Sequence, residues 1–277
     1  MHRLRLLLNR SMQHYEVLTN VRAPKVARAR RLLKRGFRES DGAFLAEGPQ
    51  ACREGALAGK VTQLFLTQEA LDRYPEIVAT VENSGAEITL CNSTVIEQFS
   101  STVTPQGMTA VVRMWDQNPD AIFHASAKLV VALTAVRDPG NAGSVIRVAD
   151  AAGADGVIMS SDSVDLFNPK VVRSSVGSLF HLPIAIGQNL AETISTARSN
   201  GMQVLAADTG GISLYGDANL AKPTLWIFGN EAWGIPKEVL ELVDHVVSIP
   251  IYGQAESLNL ATASALCLYA SATAQSS

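Results

Sequence analysis

Three polar turns contain the residue types that could bind a ligand or do chemistry, and each turn follows an apolar run. They are RDPGNAGSVIR after KLVVALTAV, GNEAWGIP after TLWIF, and YGQAESLNLATASAL after VVSIPI. Side chains such as Asn141, Asn230 and Glu231 can hydrogen-bond a polar ligand, and Gly229 lets a ligand approach the backbone closely. If the apolar runs are strands of one parallel sheet, ligands bind outside their carboxyl ends. The pattern therefore predicts that the three turns meet in one pocket.

Each turn taken alone also has a purely structural explanation. Asn141 could cap the helix that follows it, and Ser257 could cap the last helix, because their side-chain oxygens can accept free first-turn N–H groups. Glu231 could be an acid favoured by a helix dipole, and Gly229 a simple turn residue. For any one turn the structural explanation is the stronger one. The convergence of three turns on one rim favours a binding site.

The type of ligand is restricted by the motifs around these turns. The chain has no GxGxxG after its first apolar run, and GNAGSVIR offers glycines without a P-loop lysine. This pattern disfavours a pyrophosphate cradle. It indicates a nucleoside ligand that has no pyrophosphate.

Strand and helix patterns alternate in both halves of the chain, which is typical of α/β domains. Several predicted strands of the second half are apolar almost throughout, as in a parallel sheet covered by helices on both faces. A polar stretch containing Asn-Pro separates the halves. We therefore predict a basic arm over 1–22, a substrate-binding domain over 23–114, a linker over 115–126 and a second domain over 127–277.

Periodicity within the domains predicts individual elements. Single helices are expected over 23–40, 68–85, 168–180 and 256–274, and a strand over 202–208.

Composition indicates a globular protein with a large core, since 47% of the 277 residues are hydrophobic. No apolar stretch approaches the roughly 20 residues of a membrane span, so we expect a cytoplasmic protein without a membrane partner. The three cysteines are far apart and form no CxxC pair. We expect them to be buried and to form neither a disulfide nor a metal site.

Positive charge is concentrated at the start of the chain. Residues 1–40 contain eleven lysines and arginines but two acids, whereas the whole chain has a net charge of −3. Such a cluster is typical of an arm that binds a polyanion, because neutralised phosphates release counterions. A solvated helix face is an equally good explanation of the charge alone.

Three segments together resemble the motifs of the SpoU (TrmH) group of SPOUT RNA methyltransferases. They are NAGSVIRVADAAGADGVIM, LWIFGNEAWGIPKEVLELVDHVVSIPI and AESLNLATASAL, in the order and position of that group. The resemblance covers residues 128–270. The segment FLAEGPQACREGAL also resembles the N-terminal substrate-recognition domain of ribosomal RNA 2′-O-methyltransferases in this group, including the thiostrepton-resistance enzymes.

The resemblance implies an α/β fold: a SPOUT-type parallel sheet with a C-terminal trefoil knot, preceded by a smaller N-terminal α/β RNA-binding domain. It also implies a homodimer. The implied cofactor is S-adenosylmethionine, held mainly by backbone groups. The implied cofactor-binding residues are Gly229, Ile249 and Leu258, with Phe228, Asn230 and Ala207 beside them. The implied catalytic residues are Arg147, Asn141, Glu231, Ser257 and Asn259.

The implied reaction is methyl transfer to a ribose 2′-hydroxyl of structured RNA, with 23S ribosomal RNA as the expected substrate. Arg147 could be the base, but a guanidinium gives up its proton very reluctantly, which favours a role in holding a phosphate and stabilising the developing alkoxide. Three alternatives stay open: a transfer RNA 2′-O-methyltransferase, a non-catalytic RNA-binding or ribosome assembly factor, and an α/β enzyme for small metabolites.

Overall fold

The computed structural model describes residues 16–115, 118–216 and 218–276, and these form two compact units. The first unit contains residues up to Trp115 together with Phe167–Phe180. The second contains the rest of the described chain, up to Leu166 and from His181 onward. Residues 1–15 of the predicted basic arm lie outside the described residues.

The strands and helices are numbered here in chain order. The strands are β1 Ala43–Glu47, β2 Val61–Leu66, β3 Glu87–Leu90, β4 Met108–Arg113, β5 Leu129–Leu133, β6 Gly156–Ser160, β7 Ile184–Gln188, β8 Gln203–Ser213, β9 Thr224–Phe228 and β10 His245–Ser248. The helices are α1 Pro24–Arg31, α2 Arg35–Asp41, α3 Pro49–Leu57, α4 Gln68–Arg73, α5 Pro75–Asn83, α6 Ser93–Glu97, α7 Pro139–Ala151, α8 Pro169–Ser174, α9 Leu190–Ser199, α10 Lys237–Leu240 and α11 Leu260–Ser276.

The first unit is built on a four-stranded sheet with the order β1-β4-β2-β3. Strands β2 and β3 are parallel, whereas β4 runs antiparallel to both β1 and β2. The carboxyl ends of β1, β2 and β3 therefore lie at the same edge as the start of β4. Loops that leave this edge can share one surface.

The second unit is built on a six-stranded sheet with the order β10-β8-β9-β5-β6-β7, and every pair in it is parallel. The central strands β5, β6 and β9 are buried along their whole length. Strands that are buried and almost wholly apolar in this way allow helices to cover both faces of the sheet. The predicted α/β class with a parallel sheet is confirmed for this unit.

Three of the helices predicted from periodicity are interrupted or end early. Tyr74 and Pro75 divide the helix expected over 68–85, because a proline disfavours helical conformation in the residue before it. Val176 has a left-handed backbone (φ 51), so the helix expected over 168–180 ends at Ser174. The helix expected over 23–40 is broken at Lys34, whose backbone is extended.

The two units also differ from the predicted domain limits. Residues Phe167–Phe180, which fall inside the predicted domain 127–277, pack in the first unit. Part of the predicted linker 115–126 is core, since Ile122 and Phe123 are buried in the second unit. Most residues next to these two in the sequence are polar, and those polar residues suggested a linker. Gly156 allows this packing, because a Cβ there would lie 2.8 Å from Ile122.

Several cations of the basic segment are used within the first unit. Lys25 contacts Glu87, Arg31 contacts Asp41 and Arg35 contacts Glu39. Arg38 is 3% exposed and donates to the Leu32 and Leu33 carbonyls. These pairings reduce the positive charge that the described part of the segment presents to a polyanion.

The three cysteines behave as expected for buried apolar residues. Cys52, Cys91 and Cys267 are free and buried. Burial raises the pKa of each thiol to about 12. None of the described helices has the length and apolar character needed to cross a bilayer.

Candidate active site

A cavity of about 510 Å³ lies beside the middle of β8 and at the carboxyl ends of β9 and β10. Its wall is formed by residues 207–210 of β8, by the turn after β9, by the end of β10 and the segment after it, and by the start of α11. This is the edge of a parallel sheet where ligands bind. Two of the three predicted turns therefore share one wall.

All six predicted cofactor-binding residues line this cavity. They are Ala207, Phe228, Gly229, Asn230, Ile249 and Leu258. Glu231 and Ser257, two of the predicted catalytic residues, line it as well. The other predicted catalytic residues, Asn141, Arg147 and Asn259, are not part of the wall.

Hydrogen bonds join all three turns at the exposed rim. Asn259 Nδ2 donates to Asn141 Oδ1 at 3.0 Å, and Asn141 Nδ2 donates to Glu231 Oε1 at 2.5 Å. These residues are 118 and 90 positions apart in the chain. The turn after β5, which does not line the cavity, is connected to it through this chain of amides.

Arg147 is the predicted residue that the structure leaves apart. It lies on α7, six residues beyond Asn141, and its side chain is exposed. With the described residues it forms no hydrogen bond or ion pair. Its guanidinium is therefore available to an external partner.

The turn after β9 is shaped by two backbone hydrogen bonds and one buried amide. Asn230 N donates to Gly234 O at 3.0 Å, and Gly234 N donates to Asn230 O at 2.9 Å. The Asn230 side chain, 7% exposed, donates to Ala135 O and accepts from Ala232 N. A Cβ on Gly229 would lie 2.5 Å from the Gly234 carbonyl group. Glycine is therefore required for this turn to close.

The helix caps differ from those expected. Asp138 caps α7, accepting from Asn141 N at 2.8 Å, so the Asn141 side chain is available to bond Glu231. Asn259, not Ser257, caps α11 by accepting from Ala261 N and Thr262 N. Ser257 lies outside the helix, since α11 begins at Leu260. The explanation of Asn141 and Ser257 as caps is wrong.

Comparison with known proteins identifies the family in which this site occurs. Residues 128–269 match the SpoU rRNA methylase family, and residues 23–110 match the MRM3-like substrate binding domain. The chain belongs to the SpoU rRNA methylase family. The predicted family is confirmed, and so is the predicted enzyme class, an RNA methyltransferase.

Relatives of this SpoU methylase match it over most of its length. The 23S rRNA (guanosine(2553)-2′-O)-methyltransferase RlmP of Bacillus subtilis is 31% identical over 245 residues, covering 88% of this chain and 94% of the relative. An AdoMet-bound rRNA methyltransferase from Sinorhizobium meliloti has a TM-score of 0.80 at 30% identity, covering 93% of this chain and 97% of that chain. The SpoU methyltransferase AviRb from Streptomyces viridochromogenes, in complex with AdoMet, has a TM-score of 0.80 at 31% identity, over 90% of this chain and 98% of that chain.

Two acidic residues of the SpoU methylase cavity were missed in the sequence. Asp208 and Glu256 line the wall beside Glu231. Asp208 lies where β8 loses its register with β10, since Val246 pairs with Ala206 and Val247 with Ile212. Residues 207–211 therefore have no partner on β10, and β8 runs on to Ser213 beyond the strand that was expected over 202–208. Asp208 follows the apolar run VLAA, which marks it as a residue near a strand end, but the sequence does not record the register skip beside it.

A metal site does not form part of the described structure. Within residues 16–115, 118–216 and 218–276, no group of three or more His, Cys, Asp or Glu side chains is placed to hold an ion.

Proposed function

We propose that this protein transfers a methyl group from S-adenosylmethionine to a ribose 2′-hydroxyl of ribosomal RNA, with large-subunit RNA as the substrate. The observation that carries the proposal is the joining of three turns by Asn259, Asn141 and Glu231 at the rim of the 510 Å³ cavity. A nucleoside cofactor in the cavity would be next to polar groups that face the solvent.

The cavity fits S-adenosylmethionine in size, in backbone access and in charge. Gly229 brings its backbone to the wall by letting the turn after β9 close, and the predicted cofactor-binding residues all line the cavity. Asp208, Glu231 and Glu256 place carboxylates around the cavity, which suits a ligand that carries a sulfonium and an ammonium group. The bound cofactor supplies an electrophilic methyl group.

The rim residues orient the acceptor in this proposal. Glu231, held by Asn141, accepts a hydrogen bond from the substrate, and Asn259 fixes the Asn141 amide. Arg147 holds a backbone phosphate beside the 2′-oxygen and stabilises its developing negative charge. Ser257, exposed on the cavity wall, is placed to hydrogen-bond the ribose.

The choice of ribosomal RNA is supported by both parts of the chain. The relative RlmP is named for 23S ribosomal RNA, and residues 23–110 match a substrate binding domain. Transfer RNA as substrate and a non-catalytic assembly factor are the alternatives that the experiment below distinguishes.

Two further features of the family belong to the proposal. The segment after β10 and helix α11 form a trefoil knot, and two copies of the chain form a homodimer. Leu266 and Tyr269 on α11 are 36% and 50% exposed and would be covered by a second copy.

The test is tritium transfer from labelled S-adenosylmethionine to 23S ribosomal RNA and to transfer RNA, measured separately. We expect transfer to 23S RNA, and loss of transfer in Arg147→Ala with cofactor binding retained. Lys222→Ala, which removes an exposed cation just before the start of β9 and outside the basic arm, is the matched control and should transfer normally. Methylation of transfer RNA alone would show that transfer RNA is the substrate in place of 23S RNA. No methylation of either RNA, with RNA binding intact, would favour the non-catalytic assembly factor.

A further inference from the structure

A second cavity, of about 340 Å³, lies in the first unit. It is found at the sheet edge where β2 ends and β4 begins, and helices α4 and α6 and residues 105–107, the end of the loop 98–107, complete its wall. Ala70, Ile96 and Pro105 give the wall apolar surface. A planar apolar group could therefore be enclosed there.

One side of this cavity carries an aromatic ring with a cation above it. The Arg73 guanidinium lies 5.4 Å from the centroid of the Tyr74 ring, and both side chains line the cavity. Unstacked RNA bases stack on tyrosine rings and on arginine guanidinium planes. The pair therefore favours a nucleobase.

The charges of the cavity argue against a phosphate. Glu69 and Glu97 both line it, and Arg73 is the single basic residue of its wall. Among the described residues, neither glutamate has a hydrogen-bond or ion-pair partner. An ionised carboxylate only accepts hydrogen bonds, so the ligand must present donors. Guanine presents two adjacent donors on one edge, N1–H and N2–H₂, whereas uracil presents one.

The loop that closes the cavity is fixed by a carboxylate of the same unit. The Glu47 side chain is 8% exposed and accepts hydrogen bonds from the Ser100 hydroxyl, the Ser101 N–H and hydroxyl, and the Thr102 hydroxyl. Arg173 donates to the Ser101 hydroxyl as well. Three successive residues held in this way preorganise the loop, and binding then costs less conformational entropy.

We propose that this cavity binds an unstacked guanine of the RNA substrate, stacked on Tyr74 and Arg73 and hydrogen-bonded by Glu69 and Glu97. The inference rests on the proposed function for the nature of the ligand.

The test uses the full chain and four labelled pentaribonucleotides, UUGUU, UUAUU, UUCUU and UUUUU, with binding measured by fluorescence anisotropy at one salt concentration. We expect UUGUU to bind about fivefold or more tightly than the others, since one typical net hydrogen bond is worth about that factor. Glu97→Gln should remove this preference.

The sign of the Glu97→Gln effect separates the proposal from a general charge effect. Neutralising an ordinary surface glutamate weakens repulsion from phosphates and should leave RNA affinity unchanged or raise it. The exposed Glu192→Gln is the matched control for this behaviour. We expect Glu97→Gln to lower UUGUU affinity about fivefold while Glu192→Gln does not. Tyr74→Leu should lower affinity for all four oligonucleotides about tenfold, because stacking tolerates any base.

Equal binding of the four oligonucleotides, no binding of any, or higher affinity of Glu97→Gln for UUGUU would each overturn the proposal. Methyl transfer to 23S RNA is measured on the same samples. Normal methyl transfer without guanine preference would refute guanine binding in this cavity and leave the proposed function intact. Guanine preference without any methyl transfer would refute the proposed function and leave guanine binding in this cavity intact.

Discussion

Replacing Gly229 with alanine perturbs the candidate active site at its tightest point. The new Cβ would lie 2.5 Å from both the C and O atoms of Gly234 and 2.6 Å from Ile235 Cγ1. Backbone atoms cannot rotate away as a flexible side chain can. The turn after β9 must therefore move, or Gly229 must move out of the cavity wall.

The size of the effect follows from the distances. Ordinary contact begins at about 3.4 Å, so Gly234 must retreat by about 0.9 Å. Such a shift would break the hydrogen bonds of 3.0 Å and 2.9 Å that join Asn230 and Gly234. Overpacking costs about 1–3 kcal/mol, and each hydrogen bond adds about 1 kcal/mol. If about 2–4 kcal/mol of this cost reduces the free energy of S-adenosylmethionine binding, the dissociation constant of S-adenosylmethionine rises about 30- to 1000-fold.

Isothermal titration calorimetry with S-adenosylmethionine measures this dissociation constant directly. Gly253→Ala is the matched control, because it lies in the segment after β10 and its Cβ would meet nothing within 4 Å. Circular dichroism establishes that both variants are folded. We expect Gly253→Ala to bind like the wild type.

A dissociation constant of Gly229→Ala within threefold of the wild-type value would refute this reasoning. The turn after β9 would then have room to adapt, or the cofactor would bind elsewhere. An equal loss in Gly253→Ala would point to general disturbance of the loops and would refute the steric argument.

Three other predictions concern single side chains. Asn259→Asp should keep the cap of α11 but lose the donor to Asn141, so tritium transfer should fall about tenfold while the melting temperature stays unchanged. Asn259→Ala removes the cap as well and should also lower the melting temperature. Burial opposes the ionisation of Glu47, but hydrogen bonds from Ser100, Thr102 and Ser101 outweigh the burial and lower the pKa of the Glu47 carboxyl. The ionised Glu47 therefore stabilises the fold above about pH 4.5, and this stabilisation is lost as the pH falls through the lowered pKa. Thermal unfolding should therefore show Glu47→Gln about 2 kcal/mol less stable at neutral pH and a smaller difference in acid. Asp208→Ala should raise the dissociation constant of S-adenosylmethionine several-fold by calorimetry, because Asp208 lines the cavity wall, with Glu192→Ala as the unaffected control.

Much of the candidate site could be predicted because its position depends on one topological rule. Apolar runs such as TLWIF predicted the buried strands, and parallel pairing brings their carboxyl ends to one edge. Gly229 and Asn230 lie in a turn that this rule located, whereas Ile249 was implied by the family resemblance. The rule needs only local patterns, which a single sequence contains.

The parts that escaped prediction depend on register and on competition between neighbouring residues. The skip between Ala206 and Ile212 opposite β10 places Asp208 on the cavity wall, and no local pattern records such a skip. Gly211 permits the skip, since a Cβ there would lie 2.2 Å from the Val246 carbonyl oxygen. Contact with a distant strand, which periodicity does not describe, therefore decided where this carboxylate lies.

The exposed rim is organised by a division of roles between similar residues. Asp138 and Asn141 are both good helix caps, and the sequence does not say which one serves α7. Because Asp138 takes the free N–H of Asn141, the Asn141 amide can donate to Glu231 and accept from Asn259 at the same time. An asparagine is needed at that position, since an aspartate would have no donor for the carboxylate of Glu231 and would repel it. The same amide that looked like a cap is thus a side chain that connects all three turns.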